Sequence, residues 1–404
     1  MRLSEVVGKI RQTLSRVIEK FASLIIDYIP TKEMVVFECE SDMDDNPRAF
    51  YEYLLKRRWN RKHKIVWFVN DVNYCRTNYA KKNVIFINRE KGNLRNRIRM
   101  RYYCTVPKYY IFSHPYWFMK RRKEQVVVTT GHGTPVKNIS VTDDPNLERC
   151  YDWRLVPTKD VIPWIVKEGC PPEKTVICGS PRLDELFHGD RQAIMARLFG
   201  DGDFSKVIIC MPTYKKSTQK VDSVAVDKYS LDVLHSEEDY EALNTFLQEQ
   251  GAHLIIKPHP LQILDGLRLE ESSNIHYITN RLLLEKHIIF YQLLGCCDGL
   301  ITDLSSVIYD FLLLDRPIGL LTDNYDKYVR GFMVDNILDF LPGTAIRNMD
   351  ELKGFINNCI TGEDSNGDKR ESVNKIVNKL PSGHYCNELY DMLFVNGMES
   401  GKTS

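Results

Sequence analysis

The segment Ile-Thr-Asp-Leu-Ser-Ser at residues 301–306 joins the end of an apolar run to two hydroxyl side chains. Ser305 and Ser306 begin an apolar helical pattern that continues to Leu314, which predicts a strand leading directly into a helix. The free N–H groups and the positive dipole end of a first helical turn bind phosphate. We therefore predict a phosphate site formed by Asp303, Ser305 and Ser306. Ordinary helix capping, for which Ser and Asp are favoured on structural grounds, stays open as an alternative.

A histidine between two glycines follows another apolar run, in Gly-His-Gly-Thr-Pro at residues 131–135. Gly131 and Gly133 permit backbone angles that other residues avoid and let a ligand approach closely. His132 should therefore project from the loop, with Thr134 beside it. An imidazole can take a proton from a hydroxyl near neutral pH, so His132 is a candidate general acid or base. A loop histidine that only ends a strand is the alternative.

A second histidine lies between two prolines, in Lys-Pro-His-Pro at residues 257–260. The prolines stiffen the exit from a buried strand and fix the direction of His259. Lys257 adds a positive charge, and together the two side chains could neutralise a diphosphate leaving group. A rigid strand exit with a solvated lysine is the structural alternative.

Three shorter signals also follow predicted strands, and each is weaker alone because turn residues often serve structure only. Gly-Ser-Pro-Arg-Leu-Asp ends at residue 184, Pro-Thr-Tyr-Lys at residue 215, and Tyr-Val-Arg-Gly-Phe at residue 332. The arginines are possible phosphate clamps because a guanidinium can donate two parallel hydrogen bonds. The candidate residues are Arg182, Asp184, Thr213, Lys215 and Arg330.

Short apolar runs rich in β-branched residues alternate with helical patterns along most of the chain, which predicts parallel sheets covered on both faces. The predicted strands are residues 34–38, 65–69, 84–87, 109–112, 126–129, 155–157, 176–178, 207–211, 253–257, 275–277, 299–302 and 318–321. The predicted helices are residues 47–58, 160–168, 238–250, 287–294, 306–314 and 387–394.

A cluster of Gly and Asp at residues 199–205 separates the two series of strands. We therefore predict an α/β protein with two doubly wound Rossmann-like domains that face a cleft. Ligands of such sheets bind beyond the carboxyl ends of the strands. The predicted division is residues 1–30 for an N-terminal helix, 31–200 and 201–380 for the two domains, and 381–404 for a C-terminal helix and tail. The C-terminal helical pattern could cross back to the first domain.

The charge is distributed unevenly, although the net charge of the 404 residues is only +1. Residues 54–125 carry 20 Lys and Arg against three acidic residues. Such a surface attracts polyanions, and its candidate ligands are nucleic acid, anionic lipid and a phosphate polymer. A basic face that contacts only solvent is the alternative. Residues 3–25 repeat apolar side chains at helical spacing with Lys and Arg among them, which predicts an amphipathic helix on a membrane surface or packed against protein.

Several classes of protein are excluded by motifs that the sequence lacks. There is no Gly-x-x-x-x-Gly-Lys-Ser/Thr loop, no Gly-x-Ser-x-Gly elbow and no His-Glu-x-x-His pair. The eleven cysteines contain no Cys-x-x-Cys pair, and with no secretory signal they favour a reducing cytoplasm. We expect neither a metal nor a cofactor.

Taken in order, the motifs resemble those of the CDP-glycerol glycerophosphotransferase family, the teichoic-acid primases and polymerases of bacterial envelopes. The resemblance runs from about Met34 to Asp335 and is strong because the whole set is ordered. Three positions depart from the family pattern: Gly131 replaces a Trp, Tyr-Lys at 214–215 replaces Trp-Arg, and the segment at 41–45 lacks a glycine. The matching segments are Phe-Glu-Cys at 37–39, Asp-Asn-Pro at 45–47, 131–137, 179–184, 212–215, 257–260, 302–306 with Asp310, 316–317 and 330–331.

The resemblance implies a GT-B fold, with an acceptor side in the first domain and a CDP donor site in the second. It implies transfer of a polyol phosphate, most often glycerol phosphate from CDP-glycerol, to an undecaprenyl-linked or polymeric anionic acceptor, with release of CMP. It further implies His132 as acid/base, His259 as its partner on the diphosphate, and Ser305 and Ser306 as donor ligands. The expected product is a teichoic acid or a capsule-like polymer, made by a peripheral enzyme at the cytoplasmic face of the membrane, with no nucleic acid partner.

Two other functions stay open from the sequence. A GT-B glycosyltransferase would consume a nucleotide sugar instead of a CDP-polyol. A non-catalytic membrane-surface protein would bind anionic polymer through residues 54–125 and would not depend on His132. The donor polyol, the acceptor and the oligomeric state do not follow from the sequence.

Overall fold

The structure is a computed structural model that describes residues 3–90, 92–114, 122–137, 150–212, 231, 233–258, 272–321 and 332–399, with side chains from residue 13 onward. Four of the predicted site residues lie outside this range: Thr213, Lys215, His259 and Arg330.

Within the described residues, seven parallel strands form a first sheet in the order β3-β2-β1-β4-β5-β6-β7. The order reverses between β1 and β4, and such a switch point is where doubly wound sheets bind ligands. The strands are β1 (Lys32–Glu38), β2 (Lys64–Val69), β3 (Val84–Asn88), β4 (Pro107–Phe112), β5 (Val126–Thr129), β6 (Trp153–Val156) and β7 (Thr175–Ile177).

A second parallel sheet in the described residues has six strands in the order β10-β9-β8-β11-β12-β13. Its switch point lies between β8 and β11, so β8, β9 and β11 end close together. The strands are β8 (Lys206–Met211), β9 (Ala252–Ile256), β10 (Ile275–Tyr277), β11 (Gly299–Thr302), β12 (Ile318–Leu321) and β13 (Thr344–Ile346).

Helices connect the strands of both sheets. They are α1 (Leu3–Tyr28), α2 (Asp45–Lys56), α3 (Val72–Tyr79), α4 (Leu94–Thr105), α5 (Ile162–Lys167), α6 (Arg191–Phe199), α7 (Glu237–Glu249), α8 (Asn280–Glu285), α9 (Phe290–Gly295), α10 (Val307–Phe311), α11 (Met349–Thr361), α12 (Gly367–Val377) and α13 (Tyr385–Tyr390). Short 3₁₀ segments lie at Trp59–Arg61, Pro172–Lys174, Pro181–Phe187, Leu312–Leu314 and Ile337–Phe340, and a π turn at Asp391–Val395.

The predicted α/β architecture with two parallel sheets is confirmed, and all twelve predicted strands are present within two residues of their predicted ends. Their apolar runs are long enough to be buried on both faces, as in β2 and β9. Strand β13 was not predicted. It has only three residues, and because only Ile346 among them is buried, the segment forms no apolar run.

The C-terminal helix packs against the first sheet, as predicted. Leu389 and Leu393 join the buried cluster that contains β1 and β2 side chains. The Phe394 ring lies 4.8 Å from the ring of Tyr109 and 5.3 Å from that of Trp59. Apolar burial of this kind stabilises by about 25 cal/mol per Å², so α13 and the π turn that follows it contribute to the core of the first half.

The two halves also share a buried cluster. Trp164 on α5 contacts the aromatic rings of Tyr309 and Phe340, with centroid separations of 6.1 and 5.3 Å. The segment after Pro135 pairs with the segment at Phe332 through one antiparallel bridge, from Lys137. The carboxyl ends of the two sheets are thereby held against each other.

Helix α1 is fixed to α4 by its polar side chains. Glu19 pairs with Arg97 at 2.9 Å and Asp27 pairs with Arg101 at 2.5 Å. None of the described helices combines the length and apolar character needed to cross a bilayer. The apolar side chains of α1 that stay exposed are Leu14, Val17, Ile18, Phe21, Leu24, Ile25 and Tyr28.

Candidate active site

Three segments of the first half meet where β1, β4 and β5 end side by side. They place the side chains of Asp45, His114 and His132 in contact. His132 Nδ1 lies 2.9 Å from Asp45 Oδ2, and its Nε2 contacts Nε2 of His114. The His132 side chain is 45% exposed, so this imidazole projects from the loop and can reach a substrate.

Both glycines beside His132 have left-handed backbone angles. The φ of Gly131 is +59° and that of Gly133 is +108°. A Cβ atom on Gly133 would lie 2.7 Å from Arg182 Nη2, so Arg182 would have to shift from its hydrogen bonds to make room for it. The glycines therefore allow the loop to carry His132 outward while its backbone approaches Arg182.

Arg182 joins the two halves of the molecule at this loop. Its Nη1 donates to Asp45 Oδ1 at 2.6 Å, and its Nη2 donates to the His132 carbonyl at 2.5 Å. The same Nη2 donates to Asp310 Oδ2 at 2.9 Å, on helix α10 of the second half. The Tyr291 hydroxyl also donates to Asp310 Oδ2, at 2.7 Å. The predicted phosphate clamp is thus a buried link between the histidine loop and the helix after Ser305–Ser306.

The charges in this network are not equivalent. Burial alone would raise the pKa of Asp45, but the Arg182 guanidinium and the hydrogen bond from His132 bring it well below the usual range. For Asp310, burial prevails over the attraction of Arg182 and the pKa is raised. Burial and the neighbouring His132 lower the pKa of His114 to about 3. At neutral pH, Asp45 is therefore ionised and His114 is neutral.

Lys257 follows β9, and its charge acts on Asp44, which immediately precedes Asp45. The Lys257 side chain is only 7% exposed, and its Nζ lies 5.0 Å from the Phe290 ring centroid. Burial lowers the pKa of Lys257 to about 8, and the charge of Asp44 opposes that shift. A buried ammonium at the end of a strand is a ready partner for an anionic ligand.

The segment after β11 forms the predicted strand-to-helix turn. Helix α10 begins at Val307, and Ser305 and Ser306 are half-buried just before it. The Ser306 side chain makes no cap hydrogen bond, and Ser305 Oγ accepts only a long one, 3.5 Å, from Val307 N. Burial lowers the pKa of Lys137, and the nearby charge of Asp303 opposes that shift.

Two other predicted site residues have structural contacts. The Thr134 hydroxyl is buried and donates to the carbonyl of Val377 at 3.2 Å. Both oxygens of Asp184 accept backbone N–H groups, from Tyr385 at 3.0 Å and Cys386 at 2.8 Å. Asp184 therefore fixes the start of α13, away from His132.

The structure adds four residues that the sequence analysis did not include among the site candidates. Asp45 and Asp310 lie in motifs that were recognised, but nothing in the sequence pairs them through Arg182. His114 follows β4 and precedes a proline, the same signal that singled out residue 259. Tyr291 gave no signal, because an aromatic residue on a short helix is ordinary core. The four residues are Asp45, His114, Tyr291 and Asp310.

Curated relatives are similar to this chain over most of its length. A teichoic acid poly(glycerol phosphate) polymerase of Bacillus spizizenii is 27% identical over 82% of this chain and 85% of its own. A teichoic acid glycerol-phosphate transferase of Staphylococcus aureus is 24% identical over 85% of this chain and 89% of its own. A teichoic acid poly(ribitol-phosphate) polymerase of B. spizizenii is 25% identical, with 53% of its length covered.

The fold is also similar to that of a solved protein. The structure of the wall teichoic acid polymerase TagF superposes with a TM-score of 0.72 over 97% of both chains, at 19% identity. This likeness confirms the GT-B arrangement of two α/β halves. Residues 21–395 match the family described as CDP-Glycerol:Poly(glycerophosphate) glycerophosphotransferase, so the chain belongs to that family.

Proposed function

We propose that this protein transfers glycerol phosphate from CDP-glycerol to a hydroxyl of a growing teichoic-acid-type acceptor and releases CMP. One observation carries the proposal: His132 of the first half is joined through Arg182 to α10, which follows Ser305–Ser306 in the second. A candidate base and a candidate phosphate-binding turn, from opposite halves of the GT-B fold, are thereby linked through one buried side chain. Family membership and the teichoic acid relatives support the same reaction.

The reaction needs a base on one side of the donor and positive charge on the other. His132 takes the proton of the acceptor hydroxyl, whose oxygen attacks the β-phosphorus of CDP-glycerol. The bond from that phosphorus to the bridging oxygen breaks, and its electron pair leaves with CMP. Lys257, with His259 and Arg330, offsets the charge that develops on the departing phosphate. Ser305 and Ser306 hold the diphosphate at the start of α10.

Donor consumption tests the proposal directly. The purified protein would be incubated with a lipid-linked glycerol phosphate acceptor and, separately, CDP-glycerol, CDP-ribitol and UDP-sugars, and nucleotide release would be measured. Release of CMP from CDP-glycerol that depends on the acceptor is the expected result. Release of UDP alone would identify a glycosyltransferase, and no release from any donor would leave only polymer binding.

Ser306→Ala is expected to raise the KM for CDP-glycerol roughly tenfold or more, because a hydrogen bond to a charged group contributes about 1.5–3 kcal/mol. Initial rates at varied donor concentration measure this. Ser372→Ala is the matched control, because its hydroxyl bonds the Asp368 carbonyl on an exposed helix. An unchanged donor KM in Ser306→Ala would contradict its role as a phosphate ligand.

We further propose that α1 holds the enzyme on the inner leaflet, near an undecaprenyl-linked acceptor. Its acidic residues Glu19 and Asp27 pair with α4, whereas Phe21 is 67% and Leu24 59% exposed. An exposed apolar row beside a basic surface binds anionic lipid interfaces. The excess of Lys and Arg in residues 54–125 would also attract a polyanionic acceptor.

Replacing both Phe21 and Leu24 with serine is expected to release the protein from phosphatidylglycerol vesicles. Membrane binding weakens by about 0.8 kcal/mol for each CH₂ group that is no longer buried in the lipid. Co-sedimentation with such vesicles measures the bound fraction. Leu338→Ser, at a leucine that is 57% exposed elsewhere, is the control and should bind as the wild type does. Equal binding by all three proteins would remove α1 from the interaction.

A further inference from the structure

We propose that Asp45 is a positioning residue that fixes the ring proton of His132 on Nδ1 and leaves Nε2 as the proton acceptor. The inference rests on the proposed function, since it assigns the state of the base in that reaction. Asp45 does not touch the substrate in this assignment; it acts only through His132.

The first argument is the hydrogen bonding of the Asp45 carboxylate. Its Oδ1 accepts from Arg182 Nη1 at 2.6 Å, and its Oδ2 lies 2.9 Å from His132 Nδ1. An ionised carboxylate can only accept hydrogen bonds. Because Arg182 is permanently charged and keeps Asp45 ionised, the hydrogen between Asp45 and His132 must belong to Nδ1. In a neutral imidazole the other nitrogen then carries the lone pair.

The second argument comes from His114, on the opposite side of the ring. Nε2 of His114 contacts Nε2 of His132, so these two atoms cannot both carry a hydrogen. Nδ1 of His114 is buried and has no partner among the described residues. A hydrogen there would be a buried unsatisfied donor, which is costly, so the hydrogen of neutral His114 belongs on Nε2. An Nε2–H on His114 leaves His132 Nε2 without a hydrogen, which agrees with the first argument.

The third argument is the backbone that carries Asp45. Its φ is +59°, in the left-handed region that non-glycine residues rarely adopt. Such a conformation costs of order 1 kcal/mol and persists only where its surroundings fix it. The neighbouring buried Asn46 does so, because its side chain bonds the Gly131 carbonyl and the Arg182 N–H, each at 3.1 Å. Asp45 is thereby held in register with the loop of His132.

In the reaction, the acceptor hydroxyl takes the place of His114 as the donor to His132 Nε2. Its proton moves to Nε2 as its oxygen forms the new bond to phosphorus, and the resulting imidazolium is stabilised by Asp45. The bond to the bridging oxygen breaks, and the leaving CMP carries its electron pair. The Nδ1 hydrogen stays on His132 throughout.

Two-bond ¹H–¹⁵N correlation spectra of the ¹⁵N-histidine-labelled protein test the assignment at a pH where His132 is neutral. The His132 signals are identified by their loss in His132→Gln. In the wild type we expect a protonated Nδ1 and an unprotonated Nε2. A wild-type His132 with its hydrogen on Nε2 overturns the proposal whatever the variants do.

Asp45→Asn is the variant that separates positioning from folding. The amide can present either N–H or C=O to His132, so we expect a mixture of the two ring forms. We also expect kcat to fall roughly 10²-fold or more, because a carboxylate beside a histidine base fixes its ring form and stabilises the imidazolium. The donor KM should stay within about twofold of the wild type, because Asp45 does not contact the donor. A single Nδ1–H form with wild-type kcat in this variant overturns the proposal.

Asp71→Asn is the matched control. Asp71 also follows a strand of the first sheet, and its side chain caps α3 by accepting from Tyr74 N at 2.9 Å. Asparagine caps a helix equally well, so the ring form of His132 and the kcat should both stay unchanged. Should the wild type release no CMP, the proposed function fails, whereas the spectra still decide the role of Asp45.

Discussion

Replacing His132 with alanine is expected to lower kcat roughly 10²–10⁴-fold, the usual contribution of a positioned general base. Binding of CDP should stay close to wild type, because the residues assigned to the diphosphate lie after β9 and β11 and not in the loop of His132. Single-turnover rates with CDP-glycerol and calorimetric titration with CDP measure the two quantities separately.

The control for this variant is His188→Ala. His188 is exposed at the end of the 3₁₀ segment Pro181–Phe187, outside the cluster of His132 and His114. It should retain wild-type turnover. Turnover of His132→Ala within threefold of the wild type would remove this residue from the mechanism, and loss of CDP binding would reassign it to the donor site.

Arg182→Met should be the most destabilising of these substitutions. Arg182 is 7% exposed and bonds both Asp45 and Asp310, so its loss leaves two buried carboxylates without their cation. Removing one partner of a buried ion pair typically costs about 3–5 kcal/mol. Urea denaturation, followed by tryptophan fluorescence, measures the loss in the free energy of unfolding.

Two further variants make this prediction specific. Arg281→Met breaks a pair with Glu285 in which the side chains are 88% and 51% exposed, so the urea midpoint should not move. Adding Asp310→Asn to Arg182→Met should recover part of the lost stability, because it removes one of the two uncompensated charges. Equal midpoints for Arg182→Met and Arg281→Met would show that the buried network does not hold the halves together.

The sheets could be predicted from the sequence because each strand has its own local signal. Strands such as β5 and β11 are continuous apolar runs that end in a polar residue, and that pattern needs no knowledge of neighbours. By contrast, the basic α4 carries four arginines and only three buried residues, so its helical pattern is weak. Its structure depends on contact with α1, which lies more than sixty residues away.

The site could be predicted only in part, for the same reason. The glycines around His132 and the hydroxyls before α10 are local signals, and both features lie at strand ends as predicted. The partners of His132 are not local: Asp45 is 87 residues away and Arg182 is 50. Which carboxylate accompanies which base depends on the strand order β1-β4-β5, and that order appears only in the folded chain.

The return of α13 to the first sheet has a consequence for the order in which the protein matures. Phe394, in the π turn that follows α13, lies against Trp59 and Tyr109, although more than 280 residues of chain separate it from either ring. During synthesis, the amino-terminal half must wait with this apolar surface uncovered until the codon for Phe394 has been translated. A ribosome that stops between the two sheets would therefore release a fragment that lacks part of its own interior.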